Sequence, residues 1–161
     1  MKKLLCGVIF FLMLLTAQQS CFAEEMKIGY INLGKIFEGY KKVTESNAKL
    51  EEQKKTVQGK LEAMQKLKEG FDTLSNEAKE ERKNQMLAQQ EEIRTMTYDV
   101  RKEEDRILRE ILKDIENISQ DVQKKKKFTF ILDDRLIIAG PKEMDLTDEV
   151  VKLLNERYKG N

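Results

Sequence analysis

The middle of the chain repeats apolar residues at steps of three and four. Most positions between them are lysine, glutamate, glutamine or arginine. A narrow apolar stripe on an otherwise charged helix is typical of a coiled-coil seam, because a single helix cannot bury it. The segment from Lys41 to Lys127 also lacks proline, so long helices can run through it. The stripe consists of Val43, Leu50, Val57, Leu61, Met64 and Phe71 in its first half, and of Ile93, Met96, Val100, Ile107, Ile111, Ile115, Ile118 and Val122 in its second half.

A turn is predicted where this stripe is interrupted. Gly70 weakens a helix, and the polar residues after it favour a turn. Ser75 is a suitable N-cap for a new helix. We therefore predict two antiparallel helices over residues 44–71 and 76–127, which form an arm with its tip near residues 70–76. The second helix would extend about 75 Å at about 1.5 Å per residue.

Strand patterns flank the arm on both sides. Residues 27–31 alternate small or polar with apolar side chains, and residues 128–132 and 136–139 are rich in aromatic and β-branched side chains. Asn32 is suited to cap a short helix after the first strand, and Thr147 is suited to cap a C-terminal helix. A unit this small buries too little surface to be stable alone, and open strand edges favour pairing with another chain. We therefore expect a homo-oligomer.

These elements predict the α+β fold class. The body is expected to combine residues 24–43 with residues 128–161, and the arm of residues 44–127 separates the two parts. The side chains expected to form the body and its contacts between subunits are Ile28, Tyr30, Ile31, Phe37, Phe128, Phe130, Leu132, Ile137 and Leu154.

The first 23 residues have the three regions of a secretory signal peptide. Lys2 and Lys3 precede an apolar stretch of about a dozen residues, and Ala23 is a small residue suited to the position before a cleavage. The stretch is too short for a stable transmembrane span, which needs about 20 residues. We therefore expect export and cleavage after Ala23. An uncleaved N-terminal anchor is the alternative.

The sequence argues against an enzyme, a metal site and a cofactor. It has no histidine, and both cysteines, Cys6 and Cys21, lie in the predicted leader. Neither a Walker loop nor a serine-nucleophile motif occurs. Lipidation at Cys21 stays open, although the residues before it are not the aliphatic ones that such a site usually has.

Charge is dense and balanced. Without Lys2 and Lys3, the 30 basic residues become 28 against 29 acidic ones, a net charge of −1. Nucleic-acid binding normally shows as a concentrated basic patch, so nucleic acid is not the expected partner. The run Lys124–Lys127 is interpreted as the basic end of a helix, which complements the helix dipole. A membrane contact is the alternative for that run.

Two motifs frame the arm. The first is Lys27-Ile28-Gly29-Tyr30-Ile31-Asn32 followed by Ile36-Phe37, and the second is Phe130-Ile131-Leu132-Asp133 followed by Asp145-Leu146-Thr147-Asp148-Glu149-Val150. In these motifs, its leader and its long helical insertion, the chain resembles the Skp/OmpH family of periplasmic chaperones. The resemblance covers essentially the whole mature chain. The arm adds little to it, because coiled coils resemble one another by composition.

The resemblance implies a homotrimer in the periplasm. In that family, three subunits form a small β-barrel body, and three helical hairpins surround a cavity that holds unfolded outer-membrane β-barrel proteins without ATP. The family implies no catalytic residues. Its well-known members are strongly basic, whereas this chain is nearly neutral. The near-neutral charge therefore argues against lipopolysaccharide binding and against long-range electrostatic steering of clients by this chain.

The expected function is that of an ATP-independent holdase, a chaperone that keeps unfolded proteins, its clients, from aggregating. An envelope coiled-coil spacer, or a tether lipidated at Cys21, is the alternative. Gly59 is a candidate flexible point of the arm, and tolerated surface sequence is the other explanation for it. Flexible methionines and other apolar side chains suit many weak contacts. The candidate client-binding residues are Met64, Leu67, Phe71, Leu74, Met86, Leu87, Met96 and Tyr98, of which Met64, Phe71 and Met96 could also serve only to pack the two helices.

Overall fold

The fold is described by a computed structural model that covers residues 26–160. The predicted signal peptide, its cleavage position and Cys21 lie outside the described residues. Two strands, four α-helices and three short 3₁₀ turns follow one another along the described chain. Most of the described residues belong to two long helices, α2 (Lys41–Lys68) and α3 (Asn76–Lys126).

The two long helices form an antiparallel hairpin, as the sequence predicts. Gly70 ends the first one in the left-handed region with φ 68°, a conformation that glycine adopts without steric cost. A single 3₁₀ turn, Phe71–Thr73, follows. The hydroxyl of Ser75 accepts a hydrogen bond from the Ala78 amide at 3.3 Å, which confirms the predicted N-cap of α3.

Burial in the hairpin is concentrated near the body. In α2, Val43 and Leu50 are buried, and both lie in the half of the helix next to the body. The buried residues of α3 are Ile93, Ile107, Ile111, Ile115, Ile118 and Val122. Lys54 and Lys68 interrupt the apolar stripe of α2 farther out, so the distal half of the hairpin has less apolar surface to pack.

The body contains a two-stranded parallel sheet, with one strand from the segment before the arm and one from the segment after it. Strand β1 (Ile28–Ile31) pairs with β2 (Phe130–Asp133), with Ile28 opposite Phe130 and Ile31 opposite Asp133. Parallel strands need a long crossover connection, and here the whole hairpin supplies it. A single bridge from Tyr30 to Asp145 extends the other edge of β1.

Two short helices cover this sheet. Helix α1 (Leu33–Gly39) begins at Asn32, whose side chain accepts from the Lys35 amide at 2.7 Å, as predicted. Helix α4 (Thr147–Arg157) packs across α1 and the near end of α3. The fully buried side chains at this junction belong to Ile36, Leu146, Val150, Leu154 and Val122, which join the body to the arm in one core.

Two local predictions are wrong. Residues 136–139 form no strand: a 3₁₀ turn, Asp134–Leu136, leads into them, and Ile138 is fully exposed. A strand needs a hydrogen-bonded neighbour, and among the described residues the sheet consists of β1 and β2 alone, so residues 136–139 are not paired. Thr147 is the first residue of α4 rather than its cap. The Asp145 carboxylate accepts from the Thr147 amide at 3.0 Å, and the Thr147 hydroxyl accepts from the Asn32 amide at 2.9 Å.

Candidate functional site

The arm surface separates the predicted client-binding residues into two groups. Leu87 and Tyr98 on α3 are 55% and 65% exposed, so both are available for contacts outside the chain. The other six are half-buried, which agrees with a share in helix packing: they are Met64, Leu67, Phe71, Leu74, Met86 and Met96.

Two exposed apolar residues of the arm were missed by the sequence analysis. Leu108 and Leu112 are 47% and 43% exposed. Each directly follows a buried isoleucine of the seam, Ile107 and Ile111, and only the isoleucines were assigned a role from the sequence. Leu108 and Leu112 are four residues apart, so they lie on the same face of the helix, and each lies one residue after a seam position. This spacing was the sequence signal that could have identified them as a separate stripe.

Ion pairs join the two helices where the apolar seam is thin. Lys54 of α2 lies 2.6 Å from Glu104, and Lys60 lies 2.7 Å from Glu92. Because both pairs are exposed to solvent, they add little to stability, and their main effect is to favour one register of the two helices.

A polar cluster around the buried Tyr40 side chain joins the arm to the body. The Tyr40 hydroxyl donates to the Asp114 carboxylate at 3.0 Å, and the Lys42 ammonium donates to the same oxygen at 2.9 Å. The Tyr40 and Tyr158 rings meet edge to face, with centroids 5.9 Å apart. The Tyr158 hydroxyl donates to Glu45 at 2.8 Å. The cluster therefore ties α2, α3 and the C-terminal helix together at the root of the arm.

Both tyrosines of this cluster have raised pKa values. Burial, and then the hydrogen bond to Asp114, raise the pKa of Tyr40. The hydrogen bond to Glu45, and then burial, raise the pKa of Tyr158. An ionised phenolate would lose its hydrogen bond to the carboxylate and would be repelled by it, so the folded state holds the phenol proton.

Alkaline pH is expected to weaken the fold through Tyr40. The pKa of Tyr40 in the folded chain exceeds its value of about 10 in the unfolded chain. Above about pH 10 the unfolded chain therefore releases the phenol proton while the folded chain keeps it, so the free energy of unfolding falls as pH rises. Urea unfolding of the parent and of Tyr40→Phe at about pH 8 and about pH 10.5 should show a shallower loss in the variant. Tyr98→Phe, on an exposed residue, is the control. Equal losses in parent and Tyr40→Phe would contradict the assignment.

The predicted body residues occupy three kinds of environment. Ile31, Phe128 and Leu154 are buried in the core. Tyr30, Phe37, Leu132 and Ile137 are half-buried. Ile28 and Phe130, which are paired neighbours in the sheet, are exposed.

Phe130 borders a groove that is also lined by Leu33, Leu112 and Ile131, so the sheet face and the root of the arm share one apolar surface.

Neither a group of metal-ligand side chains nor a membrane-spanning helix is found among the described residues. Within residues 26–160, the acidic residues form no group that could hold a metal ion. No helix in this range has the length and apolar content needed to cross a membrane. Lys124, Lys125 and Lys126 lie in the last turn of α3, where they complement the helix dipole, and Lys126 pairs with Glu149.

The chain thus consists of a small α+β body and a long helical hairpin that exposes apolar side chains. The chain belongs to the OmpH-like family of outer membrane proteins, because the model of that family matches residues 27–154. The resemblance inferred from the two motifs is thereby confirmed.

A solved structure has the same fold. The crystal structure of a candidate outer membrane chaperone (OmpH-like) from Caulobacter crescentus CB15 superposes with a TM-score of 0.51 at 17% sequence identity. The alignment covers 89% of this chain and 92% of that one. Among curated proteins, none matches the sequence.

Proposed function

We propose that this protein is an ATP-independent periplasmic holdase that keeps unfolded outer-membrane proteins from aggregating between its helical arms. The observation that carries the proposal is the exposure of large apolar side chains along one arm helix of an OmpH-like protein. Unfolded barrel strands expose apolar side chains and unpaired backbone groups, and they aggregate by edge pairing. An arm with many weak apolar contacts can cover such strands without a tight binding site. The proposed action needs no catalytic residue.

Three copies are proposed to share one barrel-shaped body. The sheet of the single chain has two strands and is not closed. Exposed apolar residues surround it, namely Ile28, Phe130, Leu136 and Ile138. Residues 136–139 have strand composition, and pairing with another copy would supply the hydrogen-bonded neighbour they lack. Closure of the barrel would also bury the open edges. Export through the predicted leader, with cleavage after Ala23, would place this assembly in the periplasm.

An aggregation assay tests the proposed function. An unfolded outer-membrane β-barrel protein is diluted from urea with and without this protein, and light scattering is recorded without nucleotide. We expect near-complete suppression at one trimer per client, with the trimer mass measured on the same sample. A spacer or lipid-anchored tether, the alternative function, would leave scattering unchanged. Mass spectrometry of the exported protein would then be expected to show lipid on Cys21.

Gly59 supplies a test of arm flexibility. A Cβ added there meets nothing within 4 Å, so alanine fits in α2 and should stabilise the hairpin by about 0.5–1 kcal/mol. If Gly59 acts as a flexible point, Gly59→Ala should hold small clients like the parent and large clients less well. The measurement is client capacity in the scattering assay, with small and large barrel proteins in parallel. Unchanged capacity for large clients would leave Gly59 as tolerated surface sequence.

A further inference from the structure

The distal half of the hairpin is held together by half-buried side chains. Between residues 51 and 92 no side chain is fully buried, whereas Leu50 and Ile93, which border this segment, are buried. A region with few buried apolar contacts opens more easily than the rest of a fold. The half-buried apolar side chains that pack this segment are Val57, Leu61, Met64, Leu67, Phe71, Leu74 and Met86.

Methionine supplies much of the seam in this part of the arm. On α3 the seam recurs at alternating steps of four and three, at Arg82, Met86, Gln89, Ile93, Met96 and Val100. Two of these four apolar positions are therefore methionine. On α2, Met64 lies three residues after Leu61 and continues the seam towards the tip. Three of the five methionines between residues 26 and 160 thus pack one arm helix against the other.

A buried polar atom weakens the seam beside Met64. The ion pair of Lys60 with Glu92, at 2.7 Å, sets the register of the two helices at this level. About one turn nearer the tip, the seam positions are Met64 on α2 and Gln89 on α3. The Gln89 Oε1 atom is buried and has no hydrogen-bond partner among residues 26–160. An unpaired acceptor of this kind already costs stability, and a second acceptor beside it would add to that cost.

The arm methionines are placed where a small oxidant can reach them. Met96 lines an open groove between the two helices, together with Gln53, Thr56 and Val100. Met64 and Met86 are half-buried. Oxidation of a thioether depends on its exposure, so these side chains are accessible in a way that a core methionine is not. No cysteine occurs between residues 26 and 160, so methionine is the oxidisable sulfur of this range.

We propose that Met64, Met86 and Met96 are oxidation sites, and that their conversion to methionine sulfoxide opens the distal half of the hairpin while the root stays closed. A peroxide transfers one oxygen atom to each thioether sulfur, which loses two electrons, and the peroxide is reduced to water. The product is polar and adds an acceptor without a donor to a seam position. The root keeps its buried isoleucines, among them Ile107 and Ile111. This inference goes beyond the proposed holdase function and does not depend on it.

Hydrogen exchange read by mass spectrometry tests the opening. The full protein is treated with hydrogen peroxide, and peptide masses locate the added oxygen atoms. We expect amides of residues 57–67 and 82–97 to exchange several-fold faster after oxidation, and those of residues 107–122 to exchange as before. Unchanged exchange in a sample with sulfoxide at the arm methionines would overturn the inference. So would arm methionines that stay unoxidised after Met26, which is 63% exposed, has reacted completely.

Two leucine variants separate the arm methionines from the other methionines of the described chain. Met64→Leu with Met86→Leu and Met96→Leu nearly conserves the volume of each side chain and removes the oxidisable sulfurs of the arm. Met26→Leu with Met144→Leu makes the same exchange outside the arm. Peroxide should leave amide exchange in the arm of the first variant unchanged and should accelerate it in the second variant as in the parent. Equal acceleration in both variants would contradict the assignment.

Reversal distinguishes a switch from oxidative damage. Methionine sulfoxide reductases for both sulfoxide epimers, supplied with a dithiol, return each sulfoxide to the thioether while the dithiol becomes a disulfide and water is released. The protein mass and the amide exchange of the arm should both return to those of the untreated parent. A restored mass with exchange that remains fast would contradict a reversible opening. None of these measurements uses a client, so failure of the holdase function would not affect their outcome.

Discussion

Truncation of Ile36 to alanine is expected to destabilise the body by about 2–5 kcal/mol. The Ile36 side chain is fully buried, with 0% of its surface exposed, where α1 packs against α4. Alanine removes three carbons and leaves a cavity that the surrounding core closes only in part. Because folded domains are typically stable by about 5–15 kcal/mol, this single change would remove a large share of the total.

Urea unfolding followed by circular dichroism measures this effect. The parent and variant are compared at one protomer concentration, because oligomerisation makes apparent stability depend on concentration. Leu87→Ala removes the same number of carbons from an exposed position and should change the free energy of unfolding by less than about 0.5 kcal/mol. If Ile36→Ala cost no more than this control, the packing of α1 on α4 described above would be wrong.

Replacement of Gly29 by alanine is expected to destabilise the sheet by about 1–3 kcal/mol. A Cβ at Gly29 would lie 2.7 Å from Leu146 Cδ1 and 3.2 Å from Phe128 Cε1. Both neighbours are buried side chains, so neither can move aside without displacing the core. Close packing is therefore the reason that β1 has glycine at this position. The backbone φ of Gly29 is not positive, so the backbone itself would accept other residues.

A compensating substitution distinguishes overpacking from a general loss of strand stability. Leu146→Val removes both δ-methyl groups and with them the closest contact, so the double variant should lose less stability than the sum of the two single variants. Gly59→Ala, where nothing lies within 4 Å of the added Cβ, should change stability in the opposite direction. Additive losses in the double variant would argue against the contact between Gly29 and Leu146.

The helical arm could be predicted closely because its signals are local. The apolar repeat, Gly70 and the Ser75 cap act within a few residues, and the structure has α3 from Asn76 to Lys126 with Ser75 as its cap. Asn32 likewise caps α1 through a bond to an amide three residues away. The family resemblance was also within reach of the sequence, since its motifs are contiguous at the two ends of the chain.

Local patterns along the chain were thus enough to predict the hairpin, the two short helices and the family. Which side chains remain exposed depends instead on how distant segments pack together. Leu108 and Ile107 are adjacent in one apolar run, yet their directions around the helix differ by about 100°, so one faces solvent while α2 covers the other. The parallel pairing of β1 with β2 and the unpaired state of residues 136–139 likewise depend on groups distant in sequence. Burial and strand pairing are properties of neighbours in space, and a sequence pattern records only neighbours along the chain.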